Sequence, residues 1–256
     1  MITSSQNQKI KDAITLRNKS SERRTQNKFT IEGLREINLA VANGYVIDTL
    51  FVCEDFVKTC LPEIKQRIEV SKSVFAKLAM RENSDGLFAI ANTKYLQFDK
   101  IRLTENPFII VVESVEKPGN LGAILRTADA ANADAVIVCD NLCDIYNPNV
   151  IRSSTGSLFT LQVLTCTSQQ CFEFLKSKKI AIMAAELKAS QFYHQTDMTQ
   201  ACAIVVGTEA DGLSDFWINS ADVRIKIPML GTIDSLNVSV STAIIVFEAM
   251  RQRKFN

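Results

Sequence analysis

The feature that most constrains the fold is a repeated alternation in the second half of the chain. Short apolar runs rich in valine, isoleucine and alanine recur there, and most are separated by stretches with helical periodicity. The runs lie at residues 109–112, 135–139, 161–164, 180–184, 203–206 and 223–227. Near-continuous apolar runs of this length are typical of strands buried on both faces of a parallel sheet. The alternation therefore predicts an α/β fold.

The first 95 residues show a weaker version of this pattern, and we expect a small, mostly parallel sheet there. Predicted strands lie at 29–31, 47–52, 68–70 and 86–91, and predicted helices at 10–17, 34–43, 55–67 and 71–80. The charged segment 96–107, of mixed composition, is predicted to be a linker. We therefore expect two domains, a small α/β domain at residues 1–96 and a larger one at residues 106–256.

Composition excludes several classes of protein. The chain is 46% hydrophobic and 22% charged, which are ordinary globular values and exclude disordered and fibrous chains. No apolar run approaches the roughly 18 residues of a membrane-spanning helix. Residues 1–11 lack the apolar core of a signal peptide. We therefore expect a soluble, cytoplasmic protein with no membrane association.

Cysteine and histidine contents restrict the chemistry further. The seven cysteines include no Cys-x-x-Cys pair, and apolar neighbours such as Val138 beside Cys139 favour reduced, buried thiols. The single histidine, His194, argues against a histidine-based zinc site, and its polar surroundings favour a solvated loop residue over a catalytic base. We expect no metal ion.

The first 35 residues are basic. They carry eight lysine and arginine residues against three aspartate and glutamate residues, a net charge of +5 in a chain whose total is +1. Such a segment is typical of an arm that binds a polyanion. A solvated helix whose charges serve solubility would have the same composition, and both interpretations stay open on charge alone.

Ligand sites in open parallel sheets lie beyond the carboxyl ends of the strands, and three predicted strand ends have unusual sequences. The first carries Gly119, Asn120 and Gly122, where the glycines allow close backbone approach and Asn120 is placed to cap the next helix. An ordinary capped turn would have the same residues. The spacing also differs from the Gly-x-Gly-x-x-Gly fingerprint of dinucleotide-binding proteins.

The second strand end, residues 204–214, places a carboxylate between two glycines. Glu209 lies there between Gly207 and Gly212. A carboxylate in such a turn can serve a reaction, and it can equally bond to the backbone amides of the turn itself.

The third strand end, residues 227–243, leads through a flexible loop into a long helix, predicted at about 236–253. From residue 238 to residue 250 the helix is nearly all apolar or small. A helix without a polar face is buried, either within its own chain or at an interface between two copies.

In this order and spacing, the three segments together resemble the SpoU (TrmH-type) RNA ribose 2′-O-methyltransferases of the SPOUT class. Residues 117–128 (Lys-Pro-Gly-Asn-Leu-Gly…Arg-Thr-Ala) resemble the first motif of that family, residues 206–214 its second, and residues 227–240 its third. The resemblance spans about residues 108–253. The basic leader followed by Phe-Thr-Ile-Glu-Gly from Phe29 is similar to the N-terminal substrate-binding domain of many members.

The resemblance implies a trefoil knot in the C-terminal domain, S-adenosylmethionine as the cofactor bound in that knot, and a homodimer. By motif position, the catalytic residues of the family fall on Asn120, Arg126, Glu209, Ser235 and Asn237, and its largely backbone cofactor contacts on Gly207, Ile227 and Leu236. Where members often carry aspartate in the first motif, this chain has Glu113 and Lys117.

The reaction that the resemblance implies suits these residue types. Methyl transfer from a sulfonium to a ribose hydroxyl is an in-line displacement that needs no metal ion, cysteine or histidine, but it needs the hydroxyl positioned and its proton removed or polarised. Asparagine and serine can orient a ribose, and Arg126 can grip a phosphate. Because a guanidinium is a poor base, phosphate gripping and polarisation of the hydroxyl are favoured over deprotonation.

The resemblance thus implies a methyltransferase that acts on a ribose 2′-hydroxyl of structured RNA, either rRNA or tRNA. The alternative is a non-catalytic RNA-binding or ribosome-assembly factor with the same fold. A nucleotide-dependent metabolic enzyme is disfavoured, because the chain has no phosphate-binding glycine fingerprint.

Overall fold

The computed structural model describes residues 1–57, 64, 66–82, 84–208, 210–232 and 234–255. In chain order the elements are α1 (Gln8–Asn18), α2 (Ser20–Gln26), β1 (Lys28–Glu32), α3 (Leu34–Ala42), β2 (Ile47–Val52), β3 (Arg67–Glu69), α4 (Lys72–Leu78), β4 (Leu87–Asn92), β5 (Phe108–Glu113), α5 (Pro118–Ala130), β6 (Ala135–Cys139), α6 (Pro148–Ser153), α7 (Ser157–Thr160), β7 (Val163–Cys166), α8 (Ser168–Ser177), β8 (Ala181–Ala185), β9 (Gln191–Phe192), β10 (Cys202–Val206), α9 (Asp215–Ser220), β11 (Val223–Lys226) and α10 (Val238–Gln252).

The chain divides into two compact units. Unit one comprises Met1–Lys94 together with Asp144–Thr160, and unit two comprises Tyr95–Cys143 together with Leu161–Asn256. One division between the units lies near residue 95, while the two predicted domains, residues 1–96 and 106–256, stay a prediction. Segment 144–160, which sequence places inside the second domain, packs with unit one instead.

Unit one contains a four-stranded sheet in the order β1-β4-β2-β3. Strand β4 is antiparallel to both β1 and β2, whereas β2 and β3 are parallel. The prediction of a mostly parallel sheet is therefore wrong for this unit. Alternating strands and helices indicate the elements but not their partners, and here β4 returns between β1 and β2. The helix predicted at 55–67 lies largely outside the described residues.

Helix α1 packs on unit one through one face. Ile10, Ala13 and Leu16 are buried at helical spacing, and Ile10 and Ala13 belong to a core with Phe51 and Phe75. Asn7 caps the helix, because its side chain accepts a hydrogen bond from the backbone N–H of Lys9. The basic leader is therefore a folded part of the unit.

Two of the eight basic residues in the leader are structural. The Arg17 guanidinium donates to the carbonyls of Lys77 and Leu78 at 2.9 and 2.8 Å. These carbonyls lie in the last turn of α4, where a helix offers them no partner of its own. The buried Arg23 pairs with Asp144 at 2.6 Å. Lys9, Lys11, Lys19, Arg24 and Arg35 are exposed.

Segment 144–160 joins unit one through aromatic packing and hydrogen bonds. The Tyr146 ring lies 4.4 Å from the Phe29 ring, and its hydroxyl accepts from the Lys94 N–H at 2.9 Å. Gly156 has φ of +90°, and a side chain there would collide with Leu39. The segment is therefore closely fitted to the strand and helix that it covers.

Unit two contains a seven-stranded sheet in the order β7-β6-β5-β10-β8-β11-β9, and every pairing in it is parallel. The α/β class predicted from the apolar runs is confirmed. The trefoil knot stays a prediction.

The predicted linker at residues 96–107 is part of unit two. Leu96, Phe98, Ile101 and Leu103 pack against the core of this unit, and the Phe98 ring lies 4.8 Å from that of Phe174. Mixed composition concealed the apolar positions that anchor the segment.

Within the described part of the chain, helices are too short or too polar to cross a membrane. The six described cysteines are free thiols.

Candidate functional site

The parallel sheet of unit two brings the three motif segments to one edge. Val112 of β5 pairs with Val206 of β10, and β10 and β11 both run parallel to β8 between them. Because parallel strands end on the same side, the segments that follow β5, β10 and β11 all begin at this carboxyl edge. This is the position in which open α/β sheets bind ligands.

Two predicted catalytic residues meet at this edge. The Asn237 side-chain N–H donates to the side-chain oxygen of Asn120 at 3.2 Å, across 117 residues of sequence. Asn237 also caps α10, since its side-chain oxygen accepts from the N–H and the hydroxyl of Ser239 at 3.0 and 2.6 Å. These capping contacts fix which end of the Asn237 amide faces Asn120. The hydrogen bond between Asn237 and Asn120 joins the first and third motifs.

The sequence placed Asn120 as the cap of the helix, and this is wrong. Lys117 occupies the cap and Pro118 the first helical position, so Asn120 is the third residue of α5. Proline favours the first position because its fixed φ suits the helix and its missing N–H would be unpaired there anyway. In its observed position the Asn120 side chain contacts Asn237.

Arg126 lies on a different face of α5. Arg126 follows Asn120 by six residues. At about 100° per residue, the two side chains lie about 120° apart around the helix axis. Its side chain is exposed, and it forms no hydrogen bond or ion pair to another described residue. The chain therefore brings Asn120 and Asn237 together but leaves Arg126 facing solvent.

The loop after β10 is tightly folded. Gly207 is buried, and a side chain there would overlap the backbone of Gly212, so only glycine allows the loop to close. The Thr208 N–H donates to the Gly212 carbonyl at 2.9 Å, and the Asp211 N–H donates to the Thr208 hydroxyl at 2.9 Å. Glu209 lies outside the described residues, but the closed loop on both sides of it is defined.

A cleft of about 130 Å³ lies where the three segments meet. It is lined by Val115, Glu116, Lys117, Asn120, Thr208, Ala210, Asp211 and Val238. The sequence indicated Asn120 here but missed Glu116 and Asp211, because exposed acidic residues in loops carry no distinctive pattern.

The predicted cofactor residues of the third motif lie at the same edge. Ile227 directly follows β11 and is half-buried, while Leu236 is 41% exposed just before α10. Leu230, in the loop between them, is 98% exposed. Ser235 is also exposed. The described part of this loop thus exposes two leucine side chains beside the polar Ser235.

A buried carboxylate holds this edge together. It belongs to Glu113, which stands where members of the family often carry aspartate. Glu113, at the end of β5, accepts hydrogen bonds from the N–H and hydroxyl of Ser214 at 2.8 and 2.6 Å. The Ser168 hydroxyl lies 3.5 Å from the same carboxylate and accepts from Trp217 Nε1 at 2.9 Å. Because Ser214 ends the loop after β10 and directly precedes α9, Glu113 anchors that loop.

His194 lies in a single helical turn, Tyr193–Gln195, and is exposed. Its ring stacks on Phe192 at 5.6 Å, and it does not line the cleft. This position agrees with a solvated surface residue.

Two protein-family models match the chain. The SpoU rRNA Methylase family matches residues 107–247, and the MRM3-like substrate binding domain matches residues 7–89. The first match contains all three motif segments, and the second covers most of the N-terminal part of unit one.

Individual relatives agree with these models over nearly the whole chain. The chain is 29% identical to a protein of Bacillus subtilis (strain 168) named 23S rRNA (guanosine(2553)-2′-O)-methyltransferase RlmP, covering 96% of this chain and 97% of that one. A crystal structure titled RNA 2′-O ribose methyltransferase is 37% identical with a TM-score of 0.86, covering 99% of each chain. The SpoU methyltransferase AviRb from Streptomyces viridochromogenes, in complex with the cofactor AdoMet, has a TM-score of 0.90 at 26% identity, covering 97% of this chain and 99% of that one.

Proposed function

The chain belongs to the SpoU rRNA methylase family, and we propose that it transfers a methyl group from S-adenosylmethionine to a ribose 2′-hydroxyl of ribosomal RNA. The observation that carries this proposal is the contact between Asn120 and Asn237 at the carboxyl edge of the sheet. It joins the first and third motifs in one site. The Bacillus subtilis relative, which is of similar length and is named a 23S rRNA methyltransferase, supports rRNA rather than tRNA as the substrate.

The cofactor fits the residues at this edge. S-adenosylmethionine supplies a methyl group on a positively charged sulfonium. Backbone groups at Gly207, Ile227 and Leu236 would hold it, and the exposed Leu230 and Leu236 would cover its apolar adenine. The narrow loop that Gly207 closes fixes the backbone of the second motif on this edge.

The side chains around the cleft would then act on the RNA. Asn120 and Asn237 would orient the ribose hydroxyl, with Ser235 and Glu209 as further polar groups beside it. Arg126 would grip a phosphate of the same RNA, since an exposed guanidinium can bind phosphate oxygens in a bidentate manner. None of these roles requires a metal ion, and positioning can lower the barrier substantially by itself.

Unit one would bind the RNA. The exposed Lys9, Lys11, Lys19 and Arg24 remain as a basic surface after Arg17 and Arg23 are assigned to structure. Contacts of this kind bind phosphates without reading sequence and depend strongly on salt concentration. The proposed division is thus unit one for substrate and unit two for cofactor and catalysis.

The protein would work as a homodimer in the cytoplasm. One face of α10 is buried within the chain, but Val240, Ile244 and Phe247 form a second apolar face at helical spacing. Val240 is 47% and Phe247 is 43% exposed, which is unusual for a helix of this composition unless another surface covers it. A two-fold axis beside α10 would bury this face against its copy.

The test is transfer of tritium from labelled S-adenosylmethionine to unmodified 23S, 16S and transfer RNA in separate reactions. We expect label in ribosomal RNA with the wild-type protein, and at least about 100-fold less with Asn120→Ala. Label in transfer RNA alone would contradict the proposed substrate and identify it as tRNA. Tight binding of ribosomal RNA without label in any RNA, including ribosomal precursors, would support the assembly-factor alternative.

A further inference from the structure

Three of the cysteines, far apart in sequence, meet in the core of unit two. The sulfur atoms of Cys139, Cys166 and Cys171 all lie within 4.8 Å of one another, and those of Cys139 and Cys166 are 4.0 Å apart. Spacings of 27 and 5 residues match no metal-binding motif, so the sequence concealed the cluster.

The fold explains why the three thiols converge. Cys139 ends β6 and Cys166 ends β7, and the two residues are paired in the parallel register. Paired residues of parallel strands direct their side chains to the same face of the sheet. Helix α8 begins two residues after Cys166 and brings Cys171 onto that face, where all three belong to or pack against one hydrophobic core.

The sulfur separations are close to those of a thiolate metal site. Zn–S bonds of about 2.3 Å in tetrahedral geometry place the sulfurs about 3.8 Å apart. The observed 4.0 Å between Cys139 and Cys166 and the limit of 4.8 Å for all three require only small side-chain movements. A disulfide would use two of the thiols and leave the third without a role.

We infer that Cys139, Cys166 and Cys171 form a binding site for a soft divalent cation of the Zn²⁺ class, separate from the methyl-transfer site. Thiolates select such ions and disfavour Mg²⁺ and Ca²⁺, which need oxygen ligands. Among the described residues, no fourth cysteine, histidine or carboxylate joins the group at the same spacing. The fourth position would therefore go to water.

The surroundings of the cluster allow an ion to enter and favour a divalent ion over a monovalent one. Cys139 and Cys171 are fully buried, but Cys166 is partly exposed and opens the cluster on one side. With Zn²⁺ and three thiolates the site would carry one net negative charge, which is less costly to bury than the two left by a monovalent ion.

An ion here would stiffen the neighbourhood of Glu113. Glu113 pairs with Cys139 in the next strand of the sheet, and the Ser168 hydroxyl beside its carboxylate belongs to the same helix as Cys171. The ion would therefore fix the start of α8 relative to the strand ends.

The test is anaerobic titration of the reduced, full-length protein with Cd²⁺ and with Zn²⁺, following sulfur-to-cadmium charge-transfer absorbance and the melting temperature. We expect one equivalent to bind, with three sulfur neighbours in X-ray absorption. Cys139→Ser, Cys166→Ser and Cys171→Ser should each weaken binding by about 100-fold or more, because loss of a direct ligand costs at least as much as loss of its supporting contacts. The matched control is Cys53→Ser, at a buried cysteine of unit one, which should bind as the wild type does.

Circular dichroism of each metal-free variant checks that it is folded. Three results would overturn the inference. The wild type takes up no more metal than a variant in which all three cysteines of the cluster are changed to serine, Cys171→Ser keeps full affinity, or Cys53→Ser loses affinity equally. Each would make the cluster inert thiols that fill the core as small hydrophobic residues.

Discussion

At the scale of single residues, the basic and polar side chains of this chain divide between structure and reaction. Arg17 and Arg23 have partners within unit one: Arg17 donates to backbone carbonyl oxygens, and Arg23 forms an ion pair with Asp144. Arg126 has no such partner among the described residues and stands exposed on α5. Asn237 serves both purposes, since one end of its amide caps α10 and the other contacts Asn120. We therefore expect substitutions at these residues to affect different properties.

Arg126→Lys keeps the charge but loses the planar fork that grips a phosphate. We expect turnover to fall by about 100-fold or more, with the dissociation constant of S-adenosylmethionine within about twofold of the wild type. Single-turnover methylation and calorimetric titration of the cofactor measure the two effects. His194→Ala is the control and should be nearly silent. Wild-type turnover in Arg126→Lys, or a folded but inactive His194→Ala, would refute the assignment.

Glu113→Gln replaces a buried carboxylate oxygen with an N–H₂ group that faces the donors of Ser214. We expect a loss of about 1–3 kcal/mol in the free energy of unfolding, because a buried donor is left unpaired. The cofactor should also bind more weakly, because the loop after β10 loses its anchor. Chemical denaturation and cofactor titration test this, with the exposed Glu173→Gln as the matched control. Unchanged affinity together with reduced stability would limit Glu113 to a structural role.

At the scale of elements, α10 has two apolar faces with different partners. Ile245, Val246 and Ala249 are buried within the chain, where α10 packs on α5 and β10. Val240 and Phe247 are exposed on another face. The sequence left two alternatives for the apolar surface of this helix, burial in the same chain and burial at an interface. Burial in the same chain accounts for only one of its two apolar faces.

Phe247→Glu tests the second face without disturbing the first. The side chain is 43% exposed in the chain, so glutamate there should leave the subunit folded but place a charge in the proposed dimer interface. We expect a shift from dimer to monomer in sedimentation equilibrium at micromolar concentration. Leu187→Glu, at an exposed leucine elsewhere in unit two, is the control and should stay dimeric. A wild type that sediments as a monomer would contradict the proposed homodimer.

The elements differ in how far sequence could predict them. Strands of unit two were predictable because buried parallel strands are nearly continuous apolar runs, and the strand predicted at 135–139 coincides with β6. The antiparallel pairing of β4 could not be predicted, because local periodicity contains no information on strand partners. The motifs of the family implied that Asn120 and Asn237 serve one site, but the hydrogen bond between them came from the structure. The Glu113 anchor and the cysteine cluster depend on strand register, which the sequence did not reveal.

At the scale of the whole molecule, the two units are interleaved along the chain. Segment 144–160 lies between strands of unit two but packs in unit one, through Tyr146 on Phe29 and Gly156 beside Leu39. Deleting residues 1–95 would therefore uncover apolar surface of this segment and remove the partners of Asp144. Substitution of surface charges is the cleaner way to separate RNA binding from catalysis.

Neutralising Lys9, Lys11 and Lys19 to glutamine removes three exposed charges of the leader. We expect weaker binding of ribosomal RNA and a salt dependence shallower by up to about 2–3 in the slope of log K against log salt concentration. Cofactor affinity should not change. The same change at the exposed Lys100, Lys178 and Lys179 of unit two is the charge-matched control and should keep the wild-type slope. Equal slopes in both triple variants would refute RNA binding by the leader.

The central claim is that the acceptor is one ribose 2′-hydroxyl of ribosomal RNA. Once the labelled nucleotide has been mapped, a synthetic RNA fragment with a single 2′-deoxy substitution at that nucleotide tests the claim most directly, because only the acceptor oxygen is removed. We predict that the substituted fragment binds with an affinity within about threefold of the unmodified one, and that it receives no tritium from S-adenosylmethionine. Transfer of label to the substituted fragment at the rate of the unmodified one would show that the methyl group goes to another atom, and would contradict the account.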